Sequence, residues 1–239
     1  MQSSVTIIFP MYNEREYIKE TIEEAKKSVD SMFTDYEIII IDNNSDDGSS
    51  ERLVEFTKAD TRIKVFCHNK IRKLGSVFKL GFTKATKEII VCSDFDLPYD
   101  LAILKDLVPL LNDSDIIQGC RIGKRESILR EVCTKIYNFL IRSIFNLKLS
   151  DVNFNMKIFK REILKNIKLD SEGPFIAAEL LIKAAYSGYR IKEVRVRHYP
   201  RKYGFSRLCS LNSILLTTLT IVFEMIKLYP QLRHFRNQN

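Results

Sequence analysis

Glycine and proline are scarce, eight and six in 239 residues, and no low-complexity tract or internal repeat interrupts the chain. That composition excludes collagen-like, linker-rich and disordered proteins. Cysteine is also sparse and unpatterned: the five present include no C-x-x-C pair, and Cys67, Cys92 and Cys120 fall in or beside apolar, strand-like runs. Such a set argues against a zinc site or a disulfide framework and for a reducing cytosol. No uncharged apolar run reaches the ~20 residues that a spanning helix needs. The longest, Leu208 to Phe223, falls short, so no transmembrane span is expected. Met1-Gln2-Ser3-Ser4 leads straight into strand-like residues, and no signal peptide is expected either.

Positive charge, by contrast, is in excess. A net charge of +8 and a pI near 9.2 point to anionic partners, whether nucleotides, nucleic acid or an acidic membrane surface. No recognition motif for nucleic acid accompanies the charge, and nucleic acid is not expected as a partner. With 45% apolar residues, a chain of this length can bury the core of one large α/β domain.

Three polar clusters follow apolar runs that fit buried strands: Tyr12 to Glu14 after Val5 to Pro10, Asp42 to Asp46 after Tyr36 to Ile41, and Asp94 with Asp96 after Ile89 to Cys92. Helical periodicity separates the runs, as in Ile18, Ile22, Ala25 and Val29. Alternating strands and helices imply βαβ units and a mainly parallel sheet, whose carboxyl edge would gather the three clusters in one crevice. Alternate residues of an extended segment share a face, so Asp94 and Asp96 can converge on one hard cation. Two nearby Asp residues also suit a turn or a helix cap, and Pro98 and Asp100 fit that blander reading.

Further along, the spacing predicts an amphipathic helix over Leu101 to Leu111, a strand over Asp115 to Gly119, and a long helix from about Glu126 to Phe145. That long helix carries Arg130, Thr134, Asn138 and Arg142 as an i, i+4 ladder, which is ordinarily a solvated face. Glu179 sits among apolar neighbours and needs a partner if buried. A last helix, Leu208 to about Tyr229, is apolar around most of its circumference, with a narrow stripe of Ser213, Thr217, Thr220, Glu224 and Lys227. It fits a core cap or an interfacial helix.

The ordered set Ile8-Phe9-Pro10-Met11-Tyr12-Asn13-Glu14, Ile41-Asp42-Asn43-Asn44-Ser45-Asp46-Asp47-Gly48, Arg72-Lys73-Leu74-Gly75 and Asp94-Phe95-Asp96 resembles family 2 glycosyltransferases of the GT-A fold. Gly119-Cys120-Arg121, Arg130 with Thr134, Asp151 to Phe159, and Arg201 followed by Gly204-Phe205-Ser206-Arg207 are similar to the dolichyl-phosphate and polyprenyl-phosphate mannosyl- and glucosyltransferases. The resemblance implies a GT-A domain over residues 1–207, with a C-terminal amphipathic helix and polar tail over 208–239. It implies an inverting transfer of a hexose from a GDP- or UDP-sugar to polyprenyl phosphate by a protein peripherally bound at the cytosolic membrane face.

By the same resemblance, Pro10, Tyr12, Asn13, Glu14, Asp42, Lys73 and Asp94 would bind the donor, and Asp94 and Asp96 would hold Mg²⁺ or Mn²⁺. Arg121, Arg130, Thr134, Arg201, Ser206 and Arg207 would grip the acceptor phosphate, and Asp94, Asp96 and Arg201 would be catalytic. Asn43, Pro98 and Arg207 stand where the pattern usually has Asp, a third metal ligand and Lys, and Asn153-Phe154-Asn155-Met156 replaces a Gly-Phe stretch. Two other readings stay open: a family 2 enzyme extending a glycan, and a silent nucleotide-sugar-binding protein.

Overall fold

A computed structural model describes residues 4–68, 73–123, 128–204 and 211–236, with side chains left undescribed at 128–130, 211–216 and 233–236. In chain order the elements are β1 (Val5–Met11), α1 (Ile18–Asp30), β2 (Tyr36–Asp42), α2 (Ser49–Ala59), β3 (Ile63–Cys67), α3 (Leu74–Lys84) and β4 (Ile89–Cys92). They continue with α4 (Leu104–Leu107), β5 (Ile116–Ile122), α5 (Ile128–Phe145), β6 (Lys157–Lys160), α6 (Ile163–Asn166), α7 (Ile176–Tyr186), β7 (Ile191–Arg197) and α8 (Leu211–Arg236). The strands form one sheet in the order β3-β2-β1-β4-β6-β5-β7. All run parallel except β6, which is antiparallel to both β4 and β5.

Apolar residues on both faces of β1 and β2 bury the sheet between two cores. Val5, Ile7 and Phe9 point to the α1 side, where Ile18, Ile22, Ala25 and Val29 cover them; Ile8, Ile39 and Ile41 point to the side covered by α3, α5, α7 and α8. The expected α/β architecture with a mainly parallel sheet is therefore present.

Some boundaries differ from the sequence reading. The helix expected over Leu101 to Leu111 is broken into tight 3-10 turns around the four-residue α4, because Pro109 has no N–H for the helical ladder. Strand β5 runs on to Ile122, paired residue for residue with β7, and so carries Arg121 within the sheet. Helix α8 passes through Pro230 to Arg236. The hydrogen bond lost at that proline lies on the exposed side of the helix, with Ile226, where it costs least.

Two close approaches position the loops at the carboxyl edge. A Cβ on Gly75 would lie 2.5 Å from the backbone of Glu172, so only glycine lets the 170–175 loop rest on the start of α3. There the Gly75 N–H donates to the Glu172 carbonyl at 2.8 Å. A Cβ on Gly119 would meet Met156 Sδ at 2.6 Å. Buried Glu179 finds its partners in the same region, accepting from the N–H groups of Asp170 (2.9 Å) and Ser171 (2.8 Å) and pairing with Lys183 at 2.7 Å.

Candidate active site

The loops after β1 and β2 are clasped together. Asn13, in a left-handed conformation that asparagine tolerates, donates from Nδ2 to Asp46 Oδ1 (2.6 Å) and accepts from the Asp46 N–H (2.9 Å). The Asn43 N–H donates to the Met11 carbonyl at 2.9 Å. Asp42, buried at the end of β2, organises this turn: Oδ1 accepts from Ser45 N–H (3.1 Å) and Ser45 Oγ (2.6 Å), and Oδ2 from Ser50 Oγ. Pro10 lies in β1 directly beside Ile41, and Lys73 caps the start of α3 with an exposed side chain.

Beside this clasp stands an acidic cluster. Leu97 turns the chain after Asp96 in a left-handed conformation (φ 49°), rare for leucine, costing ~1–3 kcal/mol that the surrounding packing must offset. The turn leaves Asp94 and Asp96 close to Glu14, and one guanidinium closes the group: Arg201 Nε meets Asp96 Oδ2 at 2.6 Å and Arg201 Nη2 meets Glu14 Oε1 at 3.1 Å. Asp96 Oδ1 is buried with no hydrogen-bond partner. Burial, then the charges of Asp96 and Asp94, push the Glu14 carboxyl up to about 8 against the pull of Arg201. Burial and Asp94 likewise push Asp96 up to about 6. An acid cluster short of positive charge, with an idle buried oxygen, suits a cation.

These carboxyls hold protons more tightly in the folded than in the unfolded chain. Their contribution to stability is therefore present at low pH and is lost as pH rises from about 4 through about 8. The metal-free protein should melt at progressively lower temperature from pH 5 to pH 8, and Mn²⁺ should restore the loss at pH 8. A melting temperature in EDTA that is flat or rising over that window would contradict the clustering. Lys157, held down to about 8 by burial, acts in the opposite sense but only above that window.

On the other side, the turn before β6 is fastened from below and delivers two side chains. Gln118 Nε2 donates to the carbonyls of Gly119 (2.7 Å), Asp151 (2.9 Å) and Phe154 (3.1 Å). Buried Lys157 donates to those of Phe154 (2.6 Å) and Val152 (3.3 Å). The turn presents Asn155, whose Nδ2 donates to Asp94 Oδ1 at 2.5 Å, and Asp151, whose carboxylate takes Arg121 at Nε (2.7 Å) and Nη2 (3.0 Å). Arg121 also lies 5.0 Å from the Phe154 ring.

The expected site residues thus separate into groups. Tyr12, Asn13, Glu14, Asp42, Asp94, Asp96, Arg121 and Arg201 all stand at or just beyond the carboxyl ends of β1, β2, β4, β5 and β7. Arg121 already spends two donors on Asp151. Thr134 lies on α5, half-buried. The side chain of Arg130, and Ser206 and Arg207 altogether, lie outside the described residues. In the ladder on α5, Asn138 is buried and its Oδ1 accepts from the Val152 N–H at 3.2 Å, so the ladder is not one solvated face. Asp151, Asn155, Lys157 and Gln118 were assigned no role from sequence. A lysine inside a strand buried on both faces was the available signal.

Residues 6–168 match the family described as Glycosyl transferase family 2. The chain is 27% identical over 224 residues to the undecaprenyl-phosphate 4-deoxy-4-formamido-L-arabinose transferase of Salmonella choleraesuis (strain SC-B67), a match covering 90% of this chain and 67% of that protein. The same transferase from Salmonella paratyphi B (strain ATCC BAA-1250 / SPB7) matches to the same extent. Among solved structures, glucosyl-3-phosphoglycerate synthase from Mycobacterium tuberculosis, in complex with Mn²⁺, uridine diphosphate and phosphoglyceric acid, superposes with a TM-score of 0.72 at 16% identity. That superposition covers 93% of this chain and 78% of the synthase, and at that identity the likeness is one of fold.

Proposed function

Because the chain belongs to glycosyl transferase family 2 and has the GT-A fold, we propose that this glycosyltransferase moves a hexose from a nucleotide-sugar donor to a polyprenyl phosphate, with inversion at the anomeric carbon. The observation that carries the reading is the juxtaposition at one sheet edge of the Glu14, Asp94 and Asp96 acids with Arg201 and, on the strand beside it, Arg121. The Salmonella relatives, named for transfer to undecaprenyl phosphate, support this acceptor class.

Asp94 and Asp96 would hold Mg²⁺ or Mn²⁺. Among the described residues no group of three or more His, Cys, Asp or Glu side chains is placed to hold a metal ion, so an ion here would need ligands from the diphosphate. When bound, the ion neutralises charge developing on the leaving diphosphate. Asn155 donates to the Asp94 carboxylate, and Lys157 and Gln118 hold the turn that carries Asn155 through the carbonyls of Asp151, Val152 and Phe154. The clasped loops of Asn13 and Asp42 shape the donor side. A phosphate acceptor is already an anion, so no residue need remove its proton; the protein's work is to hold two anions in line. Forked guanidinium groups suit that task better than ammonium groups.

The surface supports a lipid acceptor. Helix α8 buries Ile221, Met225, Leu228 and Leu232 in the core yet leaves Leu219, Phe223, Ile226 and Tyr229 exposed. Neighbouring α5, whose Phe145 meets Tyr229 edge-on, exposes Val132, Ile136 and Phe139. Among the described residues no helix is long and apolar enough to cross a membrane. Peripheral attachment to an anionic cytosolic leaflet would cover these faces.

Incubation with GDP-mannose, UDP-glucose or UDP-N-acetylglucosamine, each with one polyprenyl phosphate, tests the proposal. One donor should release its nucleoside diphosphate only when both the lipid phosphate and a divalent cation are present. Release that ignores the lipid, or transfer to a phosphate-free glycan unaffected by Arg121→Ala, would overturn it.

A further inference from the structure

Two demands fall on one guanidinium. Arg201 is engaged with acids, through Nε on Asp96 Oδ2 (2.6 Å) and Nη2 on Glu14 Oε1 (3.1 Å). A phosphate acceptor needs the same forked face, and Arg121 has only part of its own to offer because Asp151 takes two of its donors. A divalent cation, for its part, needs Asp96, whose Oδ1 is buried and unpartnered while Oδ2 carries the arginine. An ion on one oxygen of that carboxylate and a guanidinium on the other are like charges a few ångströms apart in a site largely shielded from water.

The backbone around Arg201 has little freedom to resolve the conflict. Tyr203 N–H donates to Tyr17 Oη at 2.7 Å, Tyr17 Oη donates to the Tyr203 carbonyl at 3.0 Å, and the two rings lie 5.0 Å apart. Lys202 pairs with Glu20, and the Tyr199 N–H donates to the Pro98 carbonyl at 2.7 Å. The segment is thus strapped to α1 on one side and to the turn after Asp96 on the other. A change of partner by Arg201 is a rotation of its side chain, which is about one-third exposed, not the opening of a loop.

We infer that Arg201 and the divalent cation compete for Asp96, so that loading the cation hands the guanidinium over to the acceptor phosphate. Arg201 then stands in for the ion in the metal-free protein, holding Glu14 and Asp96 together. Once the ion arrives, the arginine becomes available to the second substrate. The acceptor phosphate binds well only after the cation, and this order rests on the proposed transfer to a phosphate acceptor.

Binding measurements without sugar transfer test it. By calorimetry at pH 7.5, with no donor present, Arg201→Gln should bind Mn²⁺ at least about tenfold more tightly than the wild type, because a competing charge is gone. Arg201→Lys, which keeps a charge there, should stay near the wild-type value. With inorganic phosphate as probe, saturating Mn²⁺ should raise phosphate affinity in the wild type, and the gain should vanish in Arg201→Gln. Unchanged or weaker Mn²⁺ binding by Arg201→Gln overturns the inference, as does a phosphate gain that persists in that variant, since the phosphate would then ride on the ion. The wild-type phosphate titration alone also decides, because no gain with Mn²⁺ overturns it without any variant. Absence of sugar transfer with the coupling intact would count against the acceptor assignment, not against the competition.

Discussion

Asp96→Ala should lower sugar transfer by about a thousandfold, equivalent to ~4 kcal/mol of lost transition-state stabilisation, while the fold survives. The carboxylate lies past the end of β4 and contributes nothing to the apolar cores; it pairs with Arg201 through one oxygen and leaves the other buried without a hydrogen-bond partner. Alanine takes away the partner of Arg201 and, on the proposed reading, the oxygen that would hold the ion, so the departing diphosphate would lack its neutralising partner. The check is divalent-dependent release of nucleoside diphosphate in matched preparations of wild type and variant, with melting temperatures confirming that both are folded. A rate within tenfold of wild type would mean the ion is held elsewhere. Nucleotide binding indifferent both to metal and to this substitution would favour a silent binding protein.

Replacing Phe223 and Ile226 together by Asp should reduce partition onto anionic liposomes at least about a hundredfold, since each large apolar side chain contributes ~1.5–3 kcal/mol when removed from water and the new charges are repelled by the leaflet. Both residues are more than two-thirds exposed, at 68% and 67%, so the substitutions leave the core untouched. Deleting the helix is the poorer experiment. Ile221, Met225, Leu228 and Leu232 belong to the core, and their loss would unfold what the assay needs intact. Pelleting that is unchanged in the double variant would take α8 out of the membrane contact. A wild type that sediments as a dimer beside a monomeric variant would assign the face to a second copy of the chain.

Legibility in the sequence followed apolar patterning and ended where strand direction and converging backbone groups decide the contacts. The strands that build the crevice announced themselves as apolar runs ending in polar clusters, and the Asn13–Asp46 clasp follows from two such clusters meeting at a parallel edge. Apolar periodicity across Leu101 to Leu111 predicts one helix, but Pro109 within it cannot donate to the helical ladder. The bond from Asn155 to Asp94 spans 61 positions and depends on the direction of β6, which propensity does not reveal. A lysine buried as deeply as Lys157 runs against every hydropathy expectation and is explained only by the carbonyls converging on it. The committed fork of Arg121 could be inferred only by bringing Asp151 beside it. For α8, the narrow polar stripe does not tell which apolar row faces inward, because its Glu224 does not face open water but lies against the 171–173 loop, accepting from Ser171 Oγ at 2.9 Å.

Because β6 alone runs backwards, the segment that enters it arrives at the rim where every other strand leaves. The rim therefore draws on residues that precede a strand as well as residues that follow one, and residues 151–156 form a hinge-post between the half built by β1 to β4 and the half built by β5 and β7. The six positions divide by direction: Val152, Phe154 and Met156 are buried in the cores and belong to the scaffold of both halves, whereas Asn155 and Asp151 reach along the rim to Asp94 and Arg121 and join one half to the other.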